Sequence, residues 1–225
     1  MRDHEIECFE RCFRIRSGQI EVFDLLSGAP TARDLDPVDV VLLGGSGDYS
    51  VATGGPWLPA ALEAMVSLHE TAKPTFASCW GFQAMARAMG GEVVTDRSRA
   101  EVGVTWVELT SAGVADPVFG PTGRRFQVMS GHEDIVTALP SSATLLASSD
   151  RVENQAFCFP GKPIYCTQFH PELDRAGLLT RIGKYPGYLP LAGAATLDDL
   201  AEMTPETPHI EGILQRFLDI VVAVA

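Results

Sequence analysis

Residues 38–43, Val-Asp-Val-Val-Leu-Leu, are apolar at almost every position, and no other stretch constrains the fold as strongly. A strand with one face in water alternates in character, whereas a strand apolar on both faces needs cover on both. The run stops at Gly44-Gly45-Ser46-Gly47-Asp48, a glycine-rich loop, and Pro56 then opens a helix. Trp57, Leu58, Ala61, Leu62, Met65 and Leu68 form the apolar stripe of that helix. A second short strand is predicted over residues 74–78. A helical segment over 81–89 follows it and ends in Gly90-Gly91. Strand, helix, strand, helix predicts a parallel sheet with helices packed on it.

Further along, residues 102–109, 125–129, 144–148, 155–159 and 163–169 read as short strands divided by Gly, Pro and Ser turns. They predict antiparallel additions to one edge of the sheet. The expected class is therefore α/β, a mostly parallel central sheet flanked by helices with antiparallel edge strands. Residues 20–26 form another short apolar run compatible with a strand. Helical stretches follow Glu172. In the last, Ile210, Ile213, Leu214, Phe217, Leu218 and Val221 make a clear stripe. No linker or repeat divides the chain, so residues 1–225 are expected to form a single domain with a helical C-terminal extension from about 177.

Ala77-Ser78-Cys79-Trp80-Gly81 places a cysteine where a strand turns sharply into a helix, with small residues two before and two after it. This is the pattern of a nucleophile elbow, where backbone segments approach closely and the reactive side chain is held out on a strained turn. At a helix N-terminus the dipole and the free N–H groups favour a thiolate, for a group that otherwise titrates near ~8.5. The N–H of Trp80 would point to where an oxyanion develops. Taken alone, the turn is equally compatible with a buried structural cysteine.

His170-Pro171-Glu172 follows the strand over 163–169. In an extended segment, residues two apart face the same side, so an imidazole and a carboxylate can address one site. The carboxylate would orient the ring and stabilise its charged form. An isolated His-x-Glu is more often a surface pair. The turn and the loop upstream are what shift the balance. Of the remaining histidines, His69 is expected on a solvent face, and His132 follows a strand and is a candidate to line the pocket.

The formal net charge of −12 argues against nucleic acid or an anionic membrane as partner. Residues 1–10 carry charge throughout and lack the apolar stretch of a signal peptide, and no run is long enough to span a bilayer. A cytoplasmic location is expected. Cys8, Cys12, Cys79, Cys158 and Cys166 are odd in number and irregular in spacing, which does not read as a disulfide framework. Cys8 and Cys12 would share a helical face, but no second pair completes a metal site, so two half-buried thiols and no metal are expected. Cys158 and Cys166 are expected in the core.

Three motifs together resemble the class I, or triad, glutamine amidotransferases, most closely the amidotransferase domain of GMP synthase and its free-standing relatives. Ser78-Cys79-Trp80-Gly81-Phe82-Gln83 resembles the family's C-x-G-x-Q nucleophile motif. Gln168-Phe169-His170-Pro171-Glu172 matches its closing Q-F-H-P-E, and the loop over 44–48 is similar to its oxyanion loop. Residues 129–134 are similar to an S-H-G-D stretch of the GMP synthase group, with the residues rearranged.

The resemblance implies Cys79 as nucleophile with His170 and Glu172 completing a triad, and Gly45 and Trp80 as backbone oxyanion donors. It also implies Gly47, Gln83, Ser130 and His132 as substrate-binding residues. It implies hydrolysis of the glutamine side-chain amide through a thioester, needing no cofactor, with L-glutamine as substrate and a synthetase or other ammonia acceptor as partner. Two rival readings remain: a stand-alone γ-glutamyl peptidase or hydrolase on the same scaffold, and a non-catalytic regulatory module.

Overall fold

In the computed structural model, which describes residues 1–16 and 18–224, the chain runs as follows. Helix α1 (Arg2–Phe13) comes first, then a short α2 (Ala32–Leu35), strand β1 (Val41–Leu43), helix α3 (Leu58–Thr71), strand β2 (Thr75–Ser78) and helix α4 (Trp80–Ala88). Next come β3 (Glu92–Thr95), β4 (Glu101–Leu109), α5 (Ser111–Ala115), β5 (Arg125–His132), β6 (Asp134–Ala138), β7 (Thr144–Ser149), β8 (Ala156–Cys158) and β9 (Ile164–Thr167). Helices α6 (Arg175–Lys184), α7 (Leu197–Met203) and α8 (Gly212–Val224) close the chain.

Seven strands form one sheet in the order β1-β2-β9-β8-β7-β4-β5, and β3 and β6 make a separate antiparallel pair. The pairs β1–β2 and β2–β9 are parallel, and every pairing beyond β9 is antiparallel. The predicted α/β class is observed, with antiparallel strands added to one edge, and the sheet is mixed rather than mostly parallel, with two parallel pairings and four antiparallel ones.

All four residues of β2 are buried, as a strand covered on both faces must be. Phe76 points into a core shared with Phe9 and Phe13 of α1, Leu214 and Phe217 of α8, and Phe169. Ala77 points the other way, into a core formed with Ala61 and Met65 of α3 and Phe82 and Met85 of α4. The functional consequence is that β2 and β9 end side by side with little freedom to move. A third cluster joins Met129 of β5 to Leu178 and Ile182 of α6 and Leu200 of α7. The segment beyond residue 177 is therefore packed on the sheet.

Residues 20–26 do not form the predicted strand. Val22 and Phe23 are exposed, and the only regular turn is a 3₁₀ helix at Leu25–Ser27, where the Asp24 carboxylate accepts the N–H of Leu26. The run lies apart from the sheet and makes no ladder pairing. β1 is the edge strand, and a groove of about 1200 Å³ lined by Ile20, Val22, Val40 and Leu42 runs beside it. Strand propensity is realised only against a paired ladder. Cys8 and Cys12 also differ from expectation, being fully buried on α1. No helix among the described residues is long and apolar enough to cross a membrane.

Candidate active site

The C-terminal end of β2 delivers Cys79 into a turn with φ 51° and ψ −99°, a conformation that side-chain-bearing residues rarely adopt. The turn is held from both sides. The N–H of Cys79 donates to the carbonyl of Thr167 on β9 at 2.7 Å, and its own carbonyl accepts the N–H of Gln83 at 3.1 Å, starting α4. Gly81 allows β1 and the following loop to approach, and its N–H donates to the carbonyl of Gly44 at 3.2 Å. Cys79 is 6% exposed.

Parallel pairing sets Thr167 opposite Ser78, so the chain leaving β9 passes beside the cysteine turn. His170 is fixed there by donating its N–H to the carbonyl of Met129 at 2.9 Å. The segment is not extended as predicted. The N–H of Leu173 donates back to the carbonyl of His170 at 3.2 Å, closing a tight turn. That turn folds Glu172 under the imidazole, with Nδ1 and Oε1 2.6 Å apart and the carboxylate completely buried.

Burial opposes a charge on His170. The Glu172 carboxylate and the Cys79 side chain, to which the ring also hydrogen-bonds, outweigh it and raise the ring to about 10. Burial likewise opposes ionisation of Glu172, but His170 and Arg181 hold that carboxyl below its usual range. The site thus favours an imidazolium facing a sulfur atom. Elsewhere burial pushes Cys8 to about 11, Cys12 to about 12 and Cys158 to about 11, so these thiols stay protonated at neutral pH.

A cavity of about 60 Å³ opens beside Cys79, lined also by Gly47, Gln83, His132, Asp134 and Tyr188. Of the residues predicted to bind substrate, Gly47, Gln83 and His132 are brought together here. Each is constrained. Gly47 lies under Tyr185, whose ring carbon would be 2.7 Å from any added Cβ, and Tyr185 donates its O–H to Asp48 at 3.0 Å. The Gln83 amide donates to the carbonyl of Asp134 at 3.0 Å and to the Gln168 side chain at 3.3 Å.

His132 differs from expectation in where its ring is engaged. Nε2 lies 3.1 Å from Glu101, its cross-strand partner, while Nδ1 has no partner. Ser130 is not part of the cavity wall. It is buried in β5, and its hydroxyl has no partner. Gly45 is pressed against the imidazole, since an added Cβ would lie 2.7 Å from Cε1 of His170. Its N–H donates to the carboxylate of Glu5 at 2.9 Å. Trp80 supplies the first residue of α4, beside the cysteine.

Sequence reasoning missed Arg181, Glu5, Tyr185 and Tyr188. Arg181 lies on α6 with its side chain 12% exposed, Nη1 3.5 Å from Glu172 and 3.2 Å from Nδ1 of His170. Nothing in the local pattern of an amphipathic helix marks such a residue. The Tyr-Pro-Gly-Tyr stretch at 185–188 was a legible turn signal, but not a site signal. No group of three or more His, Cys, Asp or Glu that could hold a metal occurs among the described residues.

An elbow cysteine, a buried His–Glu pair and a glycine loop are thus gathered at the ends of β2, β9 and β1. The model of the glutamine amidotransferase class-I family matches residues 6–176, and the chain belongs to that family. Within it the chain is similar to GMP synthase [glutamine-hydrolyzing] of Streptomyces coelicolor, 32% identical over 162 residues, which cover 71% of this chain and 29% of the relative. It is also similar to one of the separate subunits of GMP synthase [glutamine-hydrolyzing] in Methanothermobacter thermautotrophicus, 32% identical over 120 residues, covering 53% of this chain and 62% of the relative. The match spans 28% of the length of GMP synthase from Xanthomonas oryzae. Among solved structures, a glutamine amidotransferase from Thermotoga maritima superposes with a TM-score of 0.76 at 23% identity, covering 96% of this chain and 91% of the other. A glutamine amido transferase from Methylobacillus flagellatus gives 0.72 at 19% identity, covering 96% and 88%. These likenesses define the fold.

Proposed function

We propose that the chain hydrolyses the side-chain amide of L-glutamine through a thioester on Cys79, as a single domain whose ammonia serves a synthetase partner. The observation that carries this reading is the buried His170–Glu172 pair, 2.6 Å apart, directed at an elbow cysteine. The Cys79 thiolate attacks the amide carbon, and the developing oxyanion takes N–H groups of Gly45 and Trp80. His170, held protonated by Glu172, gives its proton to the departing nitrogen, so that ammonia leaves and a glutamyl thioester remains. A water then loses a proton to His170 and attacks the thioester, releasing glutamate and restoring the thiolate–imidazolium pair. Gln83, Gly47 and His132 line the cavity that would seat the amino acid.

The partner reading is supported by the relatives, which are named for a glutamine-hydrolysing synthase, in one case for a single subunit of it. Five cysteines, all free, suit a reducing, cytoplasmic setting.

The test is glutamate release by the purified protein and its Cys79→Ala variant, with γ-glutamyl dipeptides run in parallel. Release from glutamine that vanishes in the variant supports the proposal. Efficient dipeptide cleavage would move the assignment to a γ-glutamyl hydrolase. The absence of both turnover and Cys79 labelling by a glutamine-like electrophile would leave a non-catalytic module.

A further inference from the structure

The N–H of Gly45 is already occupied. Oε1 of Glu5, on α1, accepts it at 2.9 Å and lies 3.2 Å from Nη2 of Arg181. The carboxylate is seated in the loop backbone itself, for a Cβ added to Gly44 would come 2.0 Å from the same oxygen. Glu5, Cys79 and His170 border one continuous groove.

A peptide N–H has a single hydrogen to give. If Gly45 is the oxyanion donor, an oxyanion at Cys79 and the Glu5 carboxylate compete for it. They also repel one another across a site sheltered from water. The side chain in place has a particular chemistry: a glutamate γ-carboxylate is the same group that glutamine hydrolysis produces. We propose that Glu5 is a tethered mimic of the product, which holds the Gly45 donor closed until its side chain withdraws.

The body of α1 is fixed to the protein. Arg11 pairs with Asp174 at 2.9 Å and donates to the carbonyl of Glu172 at 3.2 Å, the Cys12 thiol donates to that same carbonyl at 3.4 Å, and Phe9 and Phe13 are buried. The moving part is therefore the Glu5 side chain, with Arg181 as its holding charge. Arg181 remains near Glu172 when Glu5 leaves, so opening the gate does not strand a buried cation.

The experiment uses Glu5→Ala, and Glu5→Gln as a variant that keeps the side-chain volume. It measures amide exchange of Gly45 by NMR alongside steady-state glutamine turnover. The expected result is faster exchange at Gly45 and turnover raised by about 10-fold, below the 10²–10³-fold effect of losing one well-placed donor outright, since the side chain only competes for it. Unchanged exchange in Glu5→Ala overturns the contact. Faster exchange with equal or lower turnover at an unchanged melting midpoint overturns the gate. The inference rests on the glutaminase reading, and a third readout separates the two. If neither wild type nor variant hydrolyses glutamine, that reading fails. The rate at which γ-glutamyl semialdehyde adds to the Cys79 thiol then decides the gate: faster addition in Glu5→Ala supports it, and equal rates overturn it.

Discussion

Nδ1 of His170 lies 2.6 Å from Oε1 of Glu172 across a turn that buries both side chains. A buried carboxylate this close does more than aim the ring, because it holds the ring's proton. His170 is raised from 6.5 to about 10 in the folded protein, and Glu172 is lowered from 4.5. The histidine's contribution to stability is complete below 6.5 and is lost as pH rises through about 10. The glutamate's contribution is complete above 4.5 and is lost as pH falls through its lowered folded value. Both are in place between 4.5 and 6.5, so wild-type stability should fall between pH 6.5 and 10. In Glu172→Gln the His170 titration, followed by ring NMR signals, should move down by more than about one unit. Most of that alkaline slope in melting midpoint should vanish with it. A ring titrating as in wild type would show that Glu172 does not control its charge.

The backbone of Cys79 offers a separate test. At φ 51° and ψ −99° a Cβ is strained, and the sheet and helix on either side impose that conformation. Ordinarily glycine destabilises relative to alanine by roughly 0.5–1 kcal/mol. At this position the order should reverse, with Cys79→Gly more stable than Cys79→Ala by about 1 kcal/mol in denaturant titrations. Neither variant should release glutamate. A Cys79→Gly less stable than Cys79→Ala would mean that the turn stores no strain.

How much of this could be read from sequence follows from how far apart the cooperating residues lie. The cysteine turn and His-Pro-Glu were legible because each is built from neighbours along the chain. The apolar run over 38–43 announced the parallel sheet, although only Val41–Leu43 form the strand, and as an edge strand it is half-covered rather than covered on both faces. His132 lines the cavity as its place after a strand suggested, but the engagement of its ring by Glu101 was not legible, because that partner is set by the pairing of β4 with β5. Ser130 misled, since its place in β5 turns the hydroxyl into the interior. Arg181 and Glu5 were invisible. Each is one charge on an ordinary helix, and only tertiary packing carries α6 to Glu172 and α1 to Gly45. Residues 20–26 show the opposite error, local strand propensity that no ladder pairing realises.

The loop and the elbow are joined at one position, and that joint can be loosened alone. A Cβ added to Gly81 would lie 2.5 Å from Cβ of Leu43, 2.9 Å from the Leu43 carbonyl oxygen and 3.2 Å from Cβ of Ala77. Two of these neighbours belong to β1, which cannot yield without shifting its pairing with β2. The N–H of Gly81 is also the group that holds the Gly44 carbonyl at 3.2 Å. Gly81→Ala should therefore push β1 and Gly44-Gly45 away from the start of α4. It should cost about 1–3 kcal/mol, the usual penalty for overfilling a packed interior. Misplacing the Gly45 donor should lower kcat on glutamine by about 10²-fold. KM should change far less, because the cavity lining at Gln83 and Asp134 is tied together independently, the Gln83 amide donating to the carbonyl of Asp134 at 3.0 Å. Gly187→Ala is the matched control: nothing lies within 4 Å of its added Cβ, and stability and turnover should be unchanged. Wild-type kcat in a folded Gly81→Ala would show that the contact between β1 and α4 does not set the oxyanion donor.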